Sequence, residues 1–133
     1  MKGLMKMVQD TKNFKVSEFT CHCGCGKNNI EQQVMEMCQI IRERAGVAIN
    51  INSGCRCEKK NAAVGGVKNS YHVQGKAADL SCSLGAKRLF ALIADLKAKG
   101  KLPALEWAKL YIKKNFVHID CGKKRTYFFD VGD

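Results

Sequence analysis

The stretch "NFVHIDCG", residues 115 to 122, constrains the fold more than any other part of the chain. Side chains on a strand alternate between its two faces. Val117, Ile119 and Cys121 therefore share an apolar face, while Phe116, His118 and Asp120 share the other. Such a strand must bury one side against a core. Its opposite side then carries an imidazole and a carboxylate together. The chain has only 3 histidines, so this placement carries information.

A second stretch, "SYHVQGKAADL", sets His72 ahead of a turn and Asp79 just beyond it. Gly75 lets the chain turn tightly, and Ala77 and Ala78 allow close backbone approach. Asp79 falls on a strand, on the face of Ala77 and Ser81. A carboxylate in this apolar setting needs a charged partner or a metal, because burying it alone is costly. The plain alternative is a satisfied turn network beside a surface histidine. Two imidazoles and one carboxylate are also a ligand set for catalytic zinc. Three protein ligands leave a fourth position for water, whose pKa the ion lowers to about 7.

The remaining pattern is that of one α+β domain, as a length of 133 residues allows. Ile30, Val34, Met37, Cys38 and Ile41 keep helical spacing, with Asn29 as the expected cap and Gly46 as the stop. "VAININSG" alternates as a strand. Residues 55 to 69 read as a polar loop. A second helix is expected from Ser83 as cap to Gly100, with Leu89, Leu92, Ile93 and Leu96 as its buried stripe. "LPALEWAKLYIKK" fits either a helix or a strand, and a last strand is expected through "TYFFDV". Residues 1–15 read as a basic amino-terminal arm and 16–133 as the folded domain. The expected architecture is a small, mostly antiparallel sheet flanked by helices.

The charge balance narrows the partners. Lys and Arg number 23 against 12 Asp and Glu, a net charge of +11, which favours polyanions such as nucleic acid, an anionic membrane or an anionic wall. Helix-turn-helix, zinc-finger and aromatic RNA-platform signatures are missing, which argues against specific nucleic-acid binding. No apolar run approaches the roughly 18 residues of a membrane span. "MKGLMKMVQD" lacks the features of a signal peptide, so synthesis in the cytoplasm is expected. A monomer is the default.

The 8 cysteines read as reduced thiols or metal ligands rather than disulfides. Cys21, Cys23 and Cys25 alternate in a Gly-rich loop. With Cys57 folded back as a fourth thiol they could form a closed structural zinc site. The spacing is not the usual C-x-x-C, and buried free thiols packing the loop are the simpler reading. Cys38, Cys82 and Cys121 sit on apolar faces and read as small core residues.

Together, "S-x-H-x-x-G-x-A-x-D" and "F-V-H-I-D-x-G-x-x-R" resemble the zinc D-Ala-D-Ala carboxypeptidase and L-alanyl-D-glutamate endopeptidase family. These enzymes cut peptidoglycan stem peptides and cross-links. The matching residues are Ser70, His72, Gly75, Ala77 and Asp79, then Phe116, Val117, His118, Asp120, Gly122 and Arg125. Ser53, Gly54, Arg56, Asn61 and Gly66 resemble the family's "SG-aromatic-R" segment, with Cys55 in the aromatic slot. "SEFTCHCGCG" is similar to the amino-terminal segment of small single-domain members, several of them phage endolysins. The resemblance spans roughly residues 16 to 127 and implies the hedgehog/D,D-peptidase fold.

It also implies roles. His72, Asp79 and His118 become the zinc ligands. Arg56 becomes a clamp for a stem-peptide carboxylate, since a guanidinium can offer two parallel bonds; a structural ion pair is its alternative. Ser70 would orient His72, touch substrate or cap the loop. Many relatives carry an acid three residues before the last histidine, where this chain has Asn115. Asp120 is then the first candidate for general base, unless it fixes a histidine tautomer instead. Glu106 is the second. The implied function is zinc-dependent hydrolysis of a peptidoglycan amide, with the wall peptide and the anionic cell wall as partners. A zinc-containing wall-binding domain without hydrolysis is the alternative.

Overall fold

The computed structural model describes residues 7–123 and 129–132. Arg125 and most of the stretch "TYFF" lie outside the described residues. The sheet is built from β1 (Ile49–Ser53), β2 (Ala77–Cys82), β3 (Trp107–Tyr111), β4 (Phe116–Asp120) and β5 (Phe129–Gly132). The helices are α1 (Gln32–Ala45), α2 (Glu58–Ala63) and α3 (Ala86–Ala98), preceded by a 3-10 turn at Val16–Phe19. The strand order is β1-β2-β4-β3-β5. All neighbours are antiparallel except β3 and β5, which run parallel. The architecture is the expected α+β one, a mixed and mostly antiparallel sheet with helices around it. No helix among the described residues is long and apolar enough to cross a membrane.

Alternation decides the two faces. Ala78, Leu80, Ala108, Leu110, Val117 and Ile119 are buried and form one side of the sheet. α3 packs on β2, β3 and β4, and α1 packs on α3. Leu89, Ile93 and Leu96 of α3, with Val34, Met37, Cys38 and Ile41 of α1, complete the core. Each of the larger side chains contributes about 1.5–3 kcal/mol by leaving water. The segment "LPALEWAKLYIKK" resolves as a strand: Ala108 and Leu110 are buried while Trp107, Lys109 and Tyr111 are half-buried opposite them.

Register assembles the other face. Asp79 pairs with His118, and His118 with Lys109. Ser53 pairs with Asp79 on one flank and Lys109 with Asp130 on the other. One row of side chains thus crosses the whole sheet as Ser53, Asp79, His118, Lys109 and Asp130. Directly opposed residues bring their Cβ atoms to within about 5 Å. The strand ladder therefore places the Asp79 carboxylate beside the His118 ring with no help from loops.

Several local expectations are corrected. Residues 58–63 of the expected polar loop form α2, whose amino-terminal cap is the Cys57 sulfur, accepting from the Lys60 amide. Asn29 does not cap α1; the cap position is Glu31, and the Asn29 side-chain amide donates to the Val73 carbonyl instead. Apart from these corrections, the Gln9 amide donates to Gln32 Oε1 of α1. Gln39 of α1 accepts from the Thr11 hydroxyl and the Asn13 amide, and Phe14 is buried. Ser83 does not cap α3, which begins at Ala86 after Gly85.

The acceptor that α3 lacks locally comes from a distant residue. Asn115 closes the turn between β3 and β4 with a left-handed backbone, φ 57°. Its Oδ1 accepts from the Ala86 amide at 2.9 Å. The position that resemblance associates with an acid is here a turn residue joined to a helix end. Asn115→Ala removes both the cap and the residue type that tolerates this φ. It should lower stability by about 1–2 kcal/mol in urea unfolding. The folded fraction should keep the same sheet and helices, as circular dichroism would report.

Candidate metal centre

Two strands and one turn deliver the site. Asp79 comes from β2 and His118 from β4, as cross-strand partners. His72 comes from the turn of residues 70–75, which is shaped by its own backbone. The Val73 amide donates to the Ser70 carbonyl, and the Lys76 amide to the Tyr71 carbonyl. Ser70 is buried and its Oγ accepts from the His72 amide at 3.1 Å, so its hydroxyl serves the turn. Gly75 has a positive φ of 75°, and an added Cβ there would collide with the Asn29 carbonyl. The Glu31 amide donates to the Gly75 carbonyl, which pins the turn against the start of α1.

The ligating atoms of His72, Asp79 and His118 all lie within 4.8 Å of one another. Asp79 Oδ1 is 3.2 Å from His72 Nε2 and 3.0 Å from His118 Nδ1. Each ring's other nitrogen is committed elsewhere. His72 Nδ1 is 2.7 Å from the Gly54 carbonyl, which can only accept, so this nitrogen carries the proton. His118 Nε2 is 2.7 Å from Asp120 Oδ2. The second Asp79 oxygen accepts from Arg56 Nη2 at 3.3 Å.

This donor set fits a divalent cation. Two imidazole nitrogens and a carboxylate oxygen converge on one point. Both distal ring nitrogens have oxygen acceptors, the arrangement that orients a ligating histidine and raises its basicity. Burial alone would raise the Asp79 pKa. Hydrogen bonds from His118 and His72, and their charge, outweigh it and hold the carboxyl well below the usual carboxylate range. Burial likewise opposes a charged His118. The bonds to Asp120 and Asp79 prevail and push its pKa from 6.5 up to about 9.

The remaining sequence candidates fall in different places. Arg56 lines the cleft, but its nitrogens have internal acceptors: Nε on Ser53 Oγ, Nη1 on Asn61 Oδ1 and Nη2 on Asp79. Asp120 is fully buried, and its Oδ1 accepts from the Gly122 amide at 3.2 Å. Glu106 does not line the cleft; its backbone amide donates to the Asp120 carbonyl. Besides Asp79, Asp120 is the sole carboxylate among the described residues that line it.

His72, Asp79 and His118 line a cleft of about 510 Å³. Its walls include residues that sequence reasoning did not single out: Trp107, Lys109 and Tyr111 on β3, and Lys114 in the following turn. The Trp107 ring lies 5.7 Å from the His118 ring, and Lys109 Nζ sits 5.1 Å from the Tyr111 ring centre. The period-2 placement of Trp107, Lys109 and Tyr111 was the available signal, hidden while the segment could equally be a helix. Val64 and Val67 are exposed at the rim.

Four sulfurs converge at a second place. Those of Cys21, Cys23, Cys25 and Cys57 also lie within 4.8 Å of one another. Cys23 and Cys25 are exposed, so they are not the buried thiols of the simpler reading.

A family model described as Peptidase M15 matches residues 12–120, most of the chain, a span that includes His72, Asp79 and His118. No curated protein matches the chain.

The proton on His118 has a consequence for metal-free protein. Its folded pKa of about 9 stands above the ordinary 6.5. The stability it contributes is complete below about pH 6.5 and lost as pH rises through about 9. Chelator-treated protein should therefore unfold at lower urea near pH 10 than near pH 6. His118→Gln should flatten that difference.

Proposed function

From the premise that the chain belongs to the peptidase M15 family, we propose that it is a zinc metallopeptidase acting on peptidoglycan. Its reaction is hydrolysis of an amide bond in the stem peptide or cross-link, of the D,D-carboxypeptidase or endopeptidase type. The observation that carries this reading is the convergence of His72, Asp79 and His118 at the floor of an open cleft. A site with three protein ligands leaves room for substrate, unlike a closed structural one.

His72 Nε2, Asp79 Oδ1 and His118 Nδ1 are the atoms that would hold the ion. When bound, the ion supplies Lewis-acid polarisation of a carbonyl and water ionised near neutral pH. The chain's own groups prepare that site. The Gly54 carbonyl holds the proton on His72 Nδ1, which leaves Nε2 as the donor. Asp120 Oδ2 holds the proton on His118 Nε2, which leaves Nδ1 free to ligate. Arg56 occupies Asp79 Oδ2 and so turns Oδ1 toward the rings. Arg56 acts here as a positioning residue, and Asp120 acts through His118.

The cleft suits an acidic peptide with small apolar residues. Lys109 and Lys114 offer cations for its carboxylates, Trp107 and Tyr111 offer flat walls, and Val64 and Val67 offer an apolar rim. The net charge of +11 would hold the protein on an anionic wall, where this substrate lies.

Digestion of purified peptidoglycan, followed by mass spectrometry, tests the reading. New amine termini should form, disappear with chelator and return with zinc. His118→Ala should abolish them. Binding to the wall with no products would leave only a wall-binding domain. Asp120→Asn separates its two roles. A positioning role predicts metal affinity weakened about 10–100-fold, with activity recovered at saturating zinc. Activity that saturating zinc does not recover would make Asp120 the proton carrier. Wall lysis should fall as salt rises from low to high concentration.

A further inference from the structure

Three sulfurs in the loop of residues 20–27 take no part in the proposed hydrolysis. Cys21, Cys23 and Cys25 are spaced by His22 and Gly24. Gly24 and Gly26 adopt φ of 87° and 82°, a backbone that curls the loop and that side chains resist. Cys57, at the amino-terminal cap of α2, supplies a fourth sulfur from a distant part of the chain.

Distances separate the ways four thiols can meet. Cys23 Sγ is 3.5 Å from Cys21 Sγ and 3.6 Å from Cys57 Sγ. Four thiolates around one zinc, each about 2.3 Å from it, stand roughly 3.8 Å apart. A disulfide would join two sulfurs at about 2.05 Å and exclude the others. Apolar packing does not explain the cluster, since Cys23 and Cys25 face solvent. Backbone amides point at the sulfurs as well. Cys57 N donates to Cys21 Sγ at 3.4 Å, Lys60 N to Cys57 Sγ at 3.3 Å, and Lys27 N to Cys25 Sγ at 3.4 Å. Amides so directed are the hydrogen-bond donors that orient metal-bound sulfurs.

We infer that Cys21, Cys23, Cys25 and Cys57 form a second metal site, a closed four-thiolate centre for zinc. Each thiol gives its proton to solvent on binding, and no coordination position is left for substrate. The role of this centre is to staple the amino-terminal loop to residues 54–57. That short segment carries much of the catalytic geometry. The Gly54 carbonyl holds His72, Arg56 holds Asp79, and the Arg56 amide donates to the His72 carbonyl. The same segment is also tied to that region by the Cys55 amide on the Phe19 carbonyl at 2.8 Å and the Cys55 sulfur on Asn28 Oδ1 at 3.5 Å.

Metal content and cobalt substitution of the full chain test this without reference to hydrolysis. Protein made with ample zinc should hold about two equivalents per chain. Cys23→Ser should halve that content, as should His118→Ala. Loaded with cobalt, the native protein should show intense sulfur-to-cobalt charge-transfer absorption. His118→Ala should keep this absorption while losing the other equivalent, and Cys23→Ser should lose it. A native protein without the absorption, or an intact mass showing a disulfide among these cysteines, overturns the centre. The native cobalt spectrum decides the matter even if Cys23→Ser fails to fold. Failure of the peptidase reading leaves the charge-transfer result untouched.

Discussion

The Asp79 carboxylate organises the cleft side of the molecule. It lies on a central strand, almost wholly buried, where an isolated charge would cost several kcal/mol. The surroundings offset that cost with three cationic or cation-capable groups. One oxygen faces two imidazoles and the other faces a guanidinium. Removing any one partner leaves the others gathered around a charge they no longer balance. The tight pairing of this carboxylate is therefore a condition of the fold as well as of the chemistry.

The second constraint is how each partner is held. Every residue that touches Asp79 is itself fixed by a further contact. Gly54 fixes His72, Asp120 fixes His118, and Ser53 with Asn61 fixes Arg56. Residues 53–61 supply four of these contacts or partners, although they include a strand end, a loop and a short helix. Gly54 can enter this role because its Cα passes against the Phe19 backbone, where a Cβ would meet main-chain atoms at 2.7 Å.

Much of this was legible in the residues. The alternation in "NFVHIDCG" places His118 and Asp120 on one face, and the ladder confirms that face as the polar one. α1 and α3 were legible from spacing, and their carboxyl-terminal ends from Gly46 and Gly100, while α2 lay hidden in what read as a polar loop. Their starts were less so, because the groups concerned come from elsewhere. The Asn29 side chain is tied to the Val73 carbonyl of a distant turn, two residues ahead of the cap position at Glu31, and α3 takes its acceptor from Asn115 in another distant turn. Local propensity cannot see a partner 29 residues away. Arg56 was visible as a residue of interest, but its bonds to Ser53, Asn61 and Asp79 depend on tertiary distance. Glu106 looked available because its segment had no settled period. Once it becomes the residue before a strand, the cleft-lining side chains are Trp107, Lys109 and Tyr111.

The unequal mounting of His72, Asp79 and His118 has a kinetic consequence. Asp79 and His118 are locked by consecutive ladder bonds between paired strands, while His72 rides on a turn anchored through Gly75 and its neighbours. Breathing of the site should thus be asymmetric. Amide protons of the turn should exchange with solvent before those of the central ladder, because fewer bonds must break to release them. The bonds that tie this turn to Asn29 and Glu31 set how readily it opens.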